Sequence, residues 1–419
     1  MRIIELFAGI GACSKALENL GYNLEILDAV EIDKYAIKSF NAIHNTNFET
    51  QDITKYDKYF EDVDIITHGS PCQDFSLAGK QAGGDIGSGT RSSLMYETIR
   101  IVGKIRPKYV LWENVKNLLS KKHKHNFNAY IETMNNLGYK SYYQVLNAKD
   151  YGVPQNRERV YTISIRKDID TNSFIFPEKE ELKLRLKDFL EYEVDEKYYL
   201  TEEKIDKISH WKAHQKPFEK VQGNNSIVPT LTARGAGEEH SGMITYSDKL
   251  EKTTNLQNEC LYIKNNTKKG YDKANEGDSI NLQYPNSKTR RERVGHQVSQ
   301  TLMAKGEMGV IEVESKKSKI DVIGNYMPSN HNASRIVNSE GIAPTVKENH
   351  GTVTATNINY KIRKLTPKEC WRLMGFCDED FEKTANIPTS NTQLYKQAGN
   401  SIVVNVLEKI FKNLLKGEQ

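Results

Sequence analysis

The fold is decided by the stretch RIIELFAGIGACSKALENLGYNLEILDAVE, residues 2–31. It opens with an apolar run that is typical of a buried strand, after which Gly9 and Gly11 favour a tight turn. Residues 12–20 have the apolar spacing of a helix, and residues 24–31 form a second strand-like run. A strand, a helix and another strand in this order predict the first unit of a parallel sheet.

The same alternation continues to about residue 166. Further strands are predicted at 63–67, 108–112, 141–147 and 159–166, and further helices at 33–44, 92–105 and 129–137. This order predicts an α/β fold with a mostly parallel sheet and helices on both faces. Ligands of such sheets bind at the carboxyl ends of the strands, where this chain carries Gly9, Gly11, Glu31, Cys72 and Glu113.

The composition of the 419-residue chain is that of a globular protein, with 37% hydrophobic and 27% charged residues. No run reaches the roughly 18 apolar residues of a membrane span, and the N-terminus lacks a signal-peptide pattern, so we expect a cytoplasmic protein. The five cysteines form no CxxC pair, which indicates neither a disulfide framework nor a metal site. The net charge of +4 permits a nucleic-acid partner without arguing for one.

The amino-acid composition of the chain changes after residue 180. Residues 181–360 are rich in Asn, Ser, Thr, Gly and Lys, whereas residues 361–419 return to helical spacing. A helix is predicted to begin after Thr366, with Pro367 and Glu369 in its first turn, and a final apolar helix is predicted at 397–415. The sequence therefore predicts a second, loop-rich domain between two parts of the first.

A short motif occurs three times in the loop-rich region. Thr230-Leu231, Thr301-Leu302 and Thr345-Val346 each follow a β-branched residue and precede a polar turn with glycine. Their irregular spacing excludes a solenoid. Either the three copies arose independently because similar turns need similar residues, or they are duplicates of one loop that recognises a binding partner.

Cys72 lies in GSPCQDFS, residues 69–76, directly after a proline at the end of a predicted strand. It is either a small buried residue at a turn or a nucleophile on a stiff loop. Glu113 ends a later strand, and Arg157 and Arg159 open another with both side chains on one face. A thiol, a carboxyl group and an arginine pair at one edge favour a covalent catalyst.

The loop Phe7–Gly11 resembles a nucleotide-binding turn, although Ser14 stands at the third glycine position of GxGxxG. Glu31 follows at the next strand end, where an acid binds ribose hydroxyls. The pair predicts an adenosine-bearing cofactor, and S-adenosyl-L-methionine fits better than NAD. Asp52 is a candidate acceptor for the adenine amino group.

Taken together, the motifs resemble those of DNA (cytosine-5) methyltransferases of bacterial and phage restriction–modification systems. In the family order they are ELFAGIGACS (5–14), VEID (30–33), GSPCQDFS (69–76), ENV (113–115), QNRERV (155–160), RKLTPKECWRLMGF (363–376) and QAGNSIVVNVLE (397–408). The resemblance implies a Rossmann-like methyltransferase sheet and a smaller target-recognition domain. It assigns catalysis and cofactor binding to 1–180, target recognition to 181–360, and a hinge segment with a returning helix to 361–419.

The resemblance implies a mechanism in which Cys72 attacks carbon 6 of a cytosine that is flipped out of duplex DNA. Glu113 is then expected at ring nitrogen 3 and Arg159 at the base carbonyl, while Arg157 supports the thiolate, the loop or a phosphate, or forms a scaffold ion pair. Residues 79–91, with five glycines, are expected to close over the DNA.

The resemblance also implies which other residues bind the cofactor and the DNA. Those for the cofactor are Phe7, Gly9, Gly11, Glu31, Ile32, Asp52, Ile53, Pro71, Leu94, Asn400 and Ser401, and those for DNA are Gln73, Ser76, Arg91, Arg335, Thr345 and Val346. Two residues depart from the family pattern. Gln51 replaces a glycine before Asp52, and Ile32 replaces a frequent tryptophan, which leaves ring stacking to Phe7.

Two other functions share these features. A tRNA cytosine methyltransferase would not need the long region 181–360, and a non-enzymatic DNA-binding regulator would not need Cys72. We expect a monomer acting on double-stranded DNA; whether a cognate restriction endonuclease acts separately beside it stays open. The third copy of the repeat, with Arg335 ahead of it, is expected to read bases, with Arg234 or Lys305 of the other copies as the alternative.

Overall fold

The computed structural model describes residues 1–70, 94–199, 201, 261–282, 293–302, 308–313, 322–325, 335–337 and 360–416. The chain divides into two compact units. The first comprises 1–193, 297–308 and 365–419, and the second comprises 194–296 and 309–364. Residues 297–308, which the sequence-based boundaries place in the recognition domain, thus have their contacts in the first unit.

A six-stranded sheet forms the centre of the first unit. Its strands are β1 (Arg2–Leu6), β2 (Glu25–Val30), β3 (Ile65–His68), β4 (Tyr109–Val115), β5 (Tyr139–Asn147) and β7 (Glu158–Arg166). A separate short strand, β6 (Gln155–Asn156), precedes β7 in the chain. The spatial order is β2-β1-β3-β4-β7-β5, in which β7 runs antiparallel to the other five strands, which are parallel to one another. The predicted α/β fold with a mostly parallel sheet is confirmed.

Eight α-helices in the described residues accompany the sheet. They are α1 (Ala12–Asn19), α2 (Lys34–His44), α3 (Met95–Ile105), α4 (Lys124–Asn136), α5 (Pro367–Arg372), α6 (Asp378–Ala385), α7 (Asn391–Asn400) and α8 (Val404–Leu414). The predicted start at Thr366 is confirmed, because its hydroxyl accepts from Glu369 N while the Glu369 carboxylate accepts from Thr366 N. The side chain of Asp33 caps α2 in a similar way.

The single C-terminal helix predicted at 397–415 was wrong. The structure has α7 and α8 instead, and the backbone of Ser401 between them is extended, with φ −70° and ψ 162°. Arg157 donates to the carbonyl oxygens of Gly399 and Ser401 at this break. A guanidinium from the residue between β6 and β7 thus binds carbonyls near the end of a helix, which spacing along 397–415 cannot predict.

The main core lies on one face of the sheet. Ile4, Ile66 and Val110 of the central strands pack there with residues of α3 and α4, among them Val102 and Phe127. All four residues of β3 are buried. Because the central strands β3 and β4 are covered, their polar groups can meet ligands only at the strand ends.

The second unit contains a four-stranded sheet and two hairpins among its described residues. The remaining strands are β8 (Leu261–Lys264), β9 (Tyr271–Ala274), β10 (Ser279–Asn281), β11 (Val294–Gly295), β12 (Ser299–Gln300), β13 (Met308–Val313), β14 (Val322–Asn325), β15 (Arg335–Val337) and β16 (Tyr360–Lys364). The sheet has the order β11-β10-β13-β16, and β8-β9 and β14-β15 are hairpins. β12 belongs to the first unit, where it pairs with β6.

Candidate active site

The carboxyl ends of β1, β2, β3 and β4 lie at one edge of the sheet, because these strands are parallel. Gly9 follows β1, Glu31 follows β2, Ser70 follows β3, and Glu113 lies near the end of β4. The structure therefore brings together the predicted polar residues that it describes. Cys72 lies outside the described residues, two positions after Ser70.

Ser70 is hydrogen-bonded to two side chains of β4. Trp112 Nε1 donates to Ser70 Oγ at 3.1 Å, and Asn114 Nδ2 donates to the carbonyl oxygen of Ser70 at 3.3 Å. All three residues are buried. The chain that leads to Cys72 is thus held by the two neighbours of Glu113 in sequence.

Glu113 and Arg159 form an ion pair across two antiparallel strands. Arg159 Nε lies 3.0 Å from Glu113 Oε1, and the side chains are 16% and 11% exposed. In the register of β4 and β7, Glu113 is opposite Tyr161 and Val115 is opposite Arg159, so the pair is diagonal. Its low exposure strengthens the attraction relative to a surface pair. A carboxylate and a cation are thereby fixed at the end of β4.

Arg157 has a different environment from Arg159. It is 5% exposed, and one of its terminal nitrogens donates to Gly399 O at 3.2 Å and to Ser401 O at 2.9 Å. Its backbone N–H donates to Asn147 Oδ1. Arg157 therefore holds the loop between α7 and α8 in place, an arrangement that differs from a scaffold ion pair because the acceptors are carbonyls.

A cleft with about 410 Å³ of empty space lies at this edge. Its lining comprises Glu5, Leu6, Phe7, Ala8, Gly9, Ala12, Cys13, Thr67, His68, Gly69, Glu113, Asn400, Ser401 and Ile402. Four of these, Phe7, Gly9, Asn400 and Ser401, are predicted cofactor residues.

The loop after β1 has three residues in the left-handed region, with φ +53° at Phe7, +57° at Gly9 and +82° at Gly11. A methyl group on Gly9 would meet open space, whereas one on Gly11 would overlap the ring of His44. The two glycines therefore serve different purposes. Gly9 leaves room beside the cleft, and Gly11 allows α2 to pack closely.

Glu31 closes the same loop. Its carboxylate accepts from Gly9 N at 3.0 Å and from Asp33 N at 2.8 Å. Burial raises the pKa of Glu31, and these two hydrogen bonds oppose that rise. A carboxylate has about four acceptor positions, so Glu31 can also accept from ligand hydroxyls. Ile32 beside it is 71% exposed, as an unoccupied contact surface would be.

The turn at Asp52 is organised by its own side chains. Asp52 Oδ1 accepts from Thr54 N at 3.0 Å and Thr54 Oγ1 at 2.8 Å, and these bonds lower the pKa of Asp52. Gln51, the departure from the family pattern, donates to the buried Asp28 at 2.6 Å. Gln51 thus fastens the turn to β2. An adenine contact at Asp52 stays a prediction.

Two other predicted cofactor residues lie against the core. Ile53 is 5% exposed and Leu94 is half-buried, and both pack in the cluster that contains α3. The backbone of Ile53 accepts from Arg100 at 3.1 Å. Neither residue lines the cleft as the structure has it.

His68 is a cleft residue that the sequence analysis missed. Burial lowers the pKa of His68 to about 3. Its ring is parallel to that of Trp112, with centroids 5.5 Å apart, and its Nε2 lies 3.2 Å from Tyr130 Oη. The available signal was a polar residue at the end of the apolar strand IITH, directly before Gly69.

The other described cysteines are poor nucleophiles. Burial raises the pKa of the Cys13 and Cys370 thiols, and burial and a nearby Asp380 raise that of Cys377. Because the thiolate is the reactive form, these three thiols are disfavoured as attacking groups. Cys13 lines the cleft nonetheless, and it too was missed as a site residue.

Of the three repeated motifs, the second lies in the described residues. Thr301 Oγ1 donates to Asn156 O at 2.9 Å, and Leu302 N donates to Gln155 Oε1 at 3.3 Å. Leu302 is buried. Thr301 and Leu302 are therefore part of the scaffold beside Arg157, whereas the turn that follows them, with Lys305, lies outside the described residues.

Several predicted residues lie outside the described part of the chain. They are Pro71, Cys72, Gln73, Ser76, Arg91, Thr345 and Val346, and for Arg335 only the backbone at the start of β15 is described. Within the described residues, no cluster of three or more His, Cys, Asp or Glu side chains is suited to a metal ion. In the same part of the chain, no helix is long and apolar enough to cross a membrane.

Comparisons with known proteins identify the family of the chain. Residues 1–416 match the family profile described as C-5 cytosine-specific DNA methylase. The chain is 34% identical to the orphan methyltransferase M.SPRI of Bacillus phage SPR over 99% of this chain and 97% of that protein. It is 30% identical to the type II methyltransferase M.HhaI of Haemophilus parahaemolyticus, over 99% and 94% respectively.

Solved structures show the same fold. The S. pombe Dnmt2 methyltransferase is similar with a TM-score of 0.53 at 16% identity, over 100% of this chain and 99% of that one. The family resemblance inferred from the ordered motifs is thereby confirmed. The chain belongs to the family of C-5 cytosine-specific DNA methylases and is a DNA (cytosine-5) methyltransferase.

Proposed function

We propose that this methyltransferase flips a cytosine out of duplex DNA and methylates its carbon 5 through a covalent bond between Cys72 and carbon 6. The observation that carries the proposal is the Glu113–Arg159 ion pair at the strand ends. Trp112 and Asn114, on either side of Glu113, hold Ser70 and thereby the start of the Cys72 segment. The carboxyl group and the start of the segment that carries Cys72 are thus both held by β4.

In the first step, the Cys72 thiolate adds to carbon 6 and a carbon–sulfur bond forms. The electrons of the 5,6 double bond move to carbon 5, which becomes nucleophilic enough to take a methyl group. Loss of the carbon 5 proton then expels the Cys72 thiolate and restores the double bond. The methyl donor would leave as the neutral thioether S-adenosyl-L-homocysteine, the carbon 5 proton would pass to solvent water, and Cys72 is regenerated as the thiolate.

Glu113 and Arg159 stabilise the base while Cys72 adds. A proton shared between the Glu113 carboxyl and ring nitrogen 3 offsets the charge that develops on the ring. One terminal nitrogen of Arg159 donates to the Glu158 carbonyl, and Nε lies 3.0 Å from Glu113 Oε1 as an ion-pair contact, which leaves further N–H donors for the base carbonyl. The ion pair therefore orients both groups toward one substrate.

The cleft, together with Glu31 and Ile32, which do not line it but follow β2 at the same edge, fits S-adenosyl-L-methionine, which would supply an electrophilic methyl group on a sulfonium. Glu31 retains acceptor positions for ribose hydroxyls, and Gly9 leaves open space beside the cleft. Phe7, Asn400 and Ser401 also line the cleft and would contact the cofactor. The exposed Ile32 would cover one side of the adenine.

The reaction is tested by tritium transfer from labelled S-adenosyl-L-methionine to duplex DNA and, separately, to tRNA. We expect label in DNA alone, and its loss in Cys72→Ser, since a hydroxyl is a much weaker nucleophile at neutral pH. Cys377→Ser is the matched control and should retain the rate. A 5-fluorocytosine duplex should trap the protein at Cys72; an adduct at another cysteine would overturn the mechanism, and label in tRNA would change the substrate.

The cofactor site is tested by calorimetry with Glu31→Ala and Asp52→Ala. Loss of the Glu31 carboxylate should weaken S-adenosyl-L-methionine binding by roughly 1.5–3 kcal/mol, as for a hydrogen bond to a charged group. Asp52→Ala should change it less, because Asp52 is engaged with Thr54. Equal affinity in wild type and Glu31→Ala would exclude Glu31 from the site.

For target reading, we propose that the third repeat, with Thr345 and Val346 at its centre and Arg335 ahead of it, contacts bases. The second copy is engaged in scaffold contacts with Gln155 and Asn156, which supports assigning the reading to another copy. Replacing 343–350 should change the methylated sequence, as measured by bisulfite sequencing of a plasmid library. An unchanged preference, combined with a change in Arg234→Ala or Lys305→Ala, would assign the reading to the first or second copy.

A further inference from the structure

The hairpin formed by β8 and β9 in the second unit has two chemically distinct faces. The register pairs Leu261 with Ala274, Tyr262 with Lys273, Ile263 with Asp272, and Lys264 with Tyr271. Because side chains alternate along a strand, the pairs Tyr262–Lys273 and Lys264–Tyr271 share one face. The other two pairs share the opposite face.

The opposite face of the hairpin packs against the hydrophobic core of the second unit. Ile263 and Ala274 are 0% exposed, Leu261 is 5% exposed, and all three pack with Ile280 and Ile311. Asp272, the hairpin's one acidic residue, lies on this side and accepts from the backbone of Arg293. The hairpin is thereby anchored through one face, and its single negative charge is directed away from the other.

The remaining face, with its turn, carries four lysines and two tyrosines, which we call the lysine–tyrosine face: Tyr262, Lys264, Lys268, Lys269, Tyr271 and Lys273. All four lysines are exposed and the tyrosines are half-buried. The two rings meet edge to face at 5.0 Å, with Lys269 4.8 Å from the centre of Tyr271 and Lys273 5.9 Å from that of Tyr262. None of the four lysines makes an ion pair with any described residue.

Four unneutralised cations on a 14-residue hairpin repel one another, so the fold alone does not account for them. Edge lysines that prevent strand pairing are a simpler explanation, but one or two suffice for that purpose. The two tyrosine rings lie beside Lys269 and Lys273 and limit where these lysines can move. Exposed, compact ammonium groups are suited to phosphate oxygens rather than to base edges.

We propose that the lysine–tyrosine face binds the phosphate backbone of the substrate duplex and contributes affinity without sequence preference. The proposal rests on the proposed function, since that function supplies duplex DNA as the partner. It assigns to this hairpin a positioning role separate from the repeated Thr-Leu/Val loops. Charge complementarity with a polyanion carries it.

The test is the salt dependence of binding of the full chain to a random-sequence 30-base-pair duplex, measured by fluorescence anisotropy. In K264Q/K268Q/K269Q/K273Q, the slope of log K against log salt should become shallower by about 1 for each lysine in contact with phosphate, roughly 3 to 4 in total. A control variant removes four exposed lysines of the first unit, K183Q/K187Q/K412Q/K416Q, and should keep the wild-type slope. The K264R/K268R/K269R/K273R variant should keep it too.

The proposal is overturned if the hairpin variant retains the wild-type slope or if the control variant loses as much. It is also overturned if polyglutamate, and not DNA, loses affinity for the hairpin variant, because the face would then fit an acidic protein. Circular dichroism and the Lys→Arg variant separate lost contacts from lost folding. A wild-type protein that binds DNA through this face yet transfers no methyl group would contradict the proposed function alone.

Discussion

Arg159 Nε lies 3.0 Å from Glu113 Oε1, although the two residues belong to different strands and are diagonal in the register. A diagonal contact across β4 and β7 exists only if the strands are antiparallel and correctly aligned. On its other side, β4 pairs with β3, and Trp112 and Asn114 of β4 bind Ser70, which follows β3. The two pairings of β4 therefore fix the carboxyl group, its counter-ion and the start of the nucleophile segment.

Arg159→Gln should lower methyl transfer at least 100-fold, because the variant loses both the counter-ion of Glu113 and a donor to the base. Breaking this largely buried pair should also lower the free energy of unfolding by about 2–4 kcal/mol. Rates by tritium transfer and unfolding by urea measure the two effects. Lys116→Gln, which breaks the exposed pair with Glu158, should lose less than about 1 kcal/mol; equal losses in the two variants would contradict the assignment.

The two loop glycines provide a matched pair of substitutions. Gly11→Ala should be strongly destabilising, by about 3 kcal/mol or more, because left-handed strain is added to overlap with His44 and Phe40. Gly9→Ala should cost only the strain, about 1–2 kcal/mol, since its methyl group meets open space. That methyl group should weaken cofactor binding. Thermal unfolding and calorimetry check both, and a reversed order of stability would exclude the packing role of Gly11.

Arg157→Gln should lower the free energy of unfolding by about 2–3 kcal/mol, because two buried carbonyls lose a charged donor. The Michaelis constant for the cofactor should rise as well, since Asn400 and Ser401 line the cleft. The alternative, a phosphate contact, predicts a salt slope of DNA binding that is shallower by about 1. A shallower slope with unchanged stability would favour that alternative.

His68 predicts a loss of stability in acid. Its pKa is about 3 in the folded protein and about 6.5 in the unfolded chain, so the unfolded chain binds more protons between these values. Stability contributed by neutral His68 is complete above about pH 6.5 and falls with pH by up to about 1.4 kcal/mol per unit. His68→Phe lacks this loss. The free energy of unfolding of His68→Phe relative to that of the wild type should therefore be about 2 kcal/mol more favourable at pH 5 than at pH 7.

Urea unfolding of both proteins at pH 7 and pH 5 measures this difference. His68→Phe retains a ring against Trp112 but cannot bind a proton. Tyr130 loses its partner at both pH values, so that cost cancels in the comparison. An identical pH dependence in the two proteins would show that His68 is not buried as a neutral ring.

The local order of strands, turns and helices followed from the sequence because it depends on short-range spacing. The run at 2–31 contained its own strand, turn, helix and strand, and the structure places them at Arg2–Leu6, Ala12–Asn19 and Glu25–Val30. Thr366, Pro367 and Glu369 likewise fixed a helix start by contacts three residues apart. The strand-end positions of Gly9, Glu31 and Glu113 then followed from the parallel order.

Other features depended on residues that are distant in sequence. The break between α7 and α8 is bound by Arg157, more than 200 residues earlier, so helical spacing alone predicted one continuous helix. Gln51 departs from the family pattern in sequence, and only the structure shows that its side chain donates to Asp28. The burial of His68 against Trp112 and Tyr130 depends on how α4 packs on the sheet.

The sequence by itself therefore determined the fold class, the family and the residues at the strand ends, because motif order and apolar periodicity are written along the chain. The tertiary structure alone decided that Arg159 binds Glu113 while Arg157, two residues away, binds the carbonyls before α8. From the sequence alone, the partners of two arginines in one short motif cannot be distinguished, because the two side chains have the same chemistry. Their partners differ because one lies in the ladder of β7 and the other before it, where different elements approach.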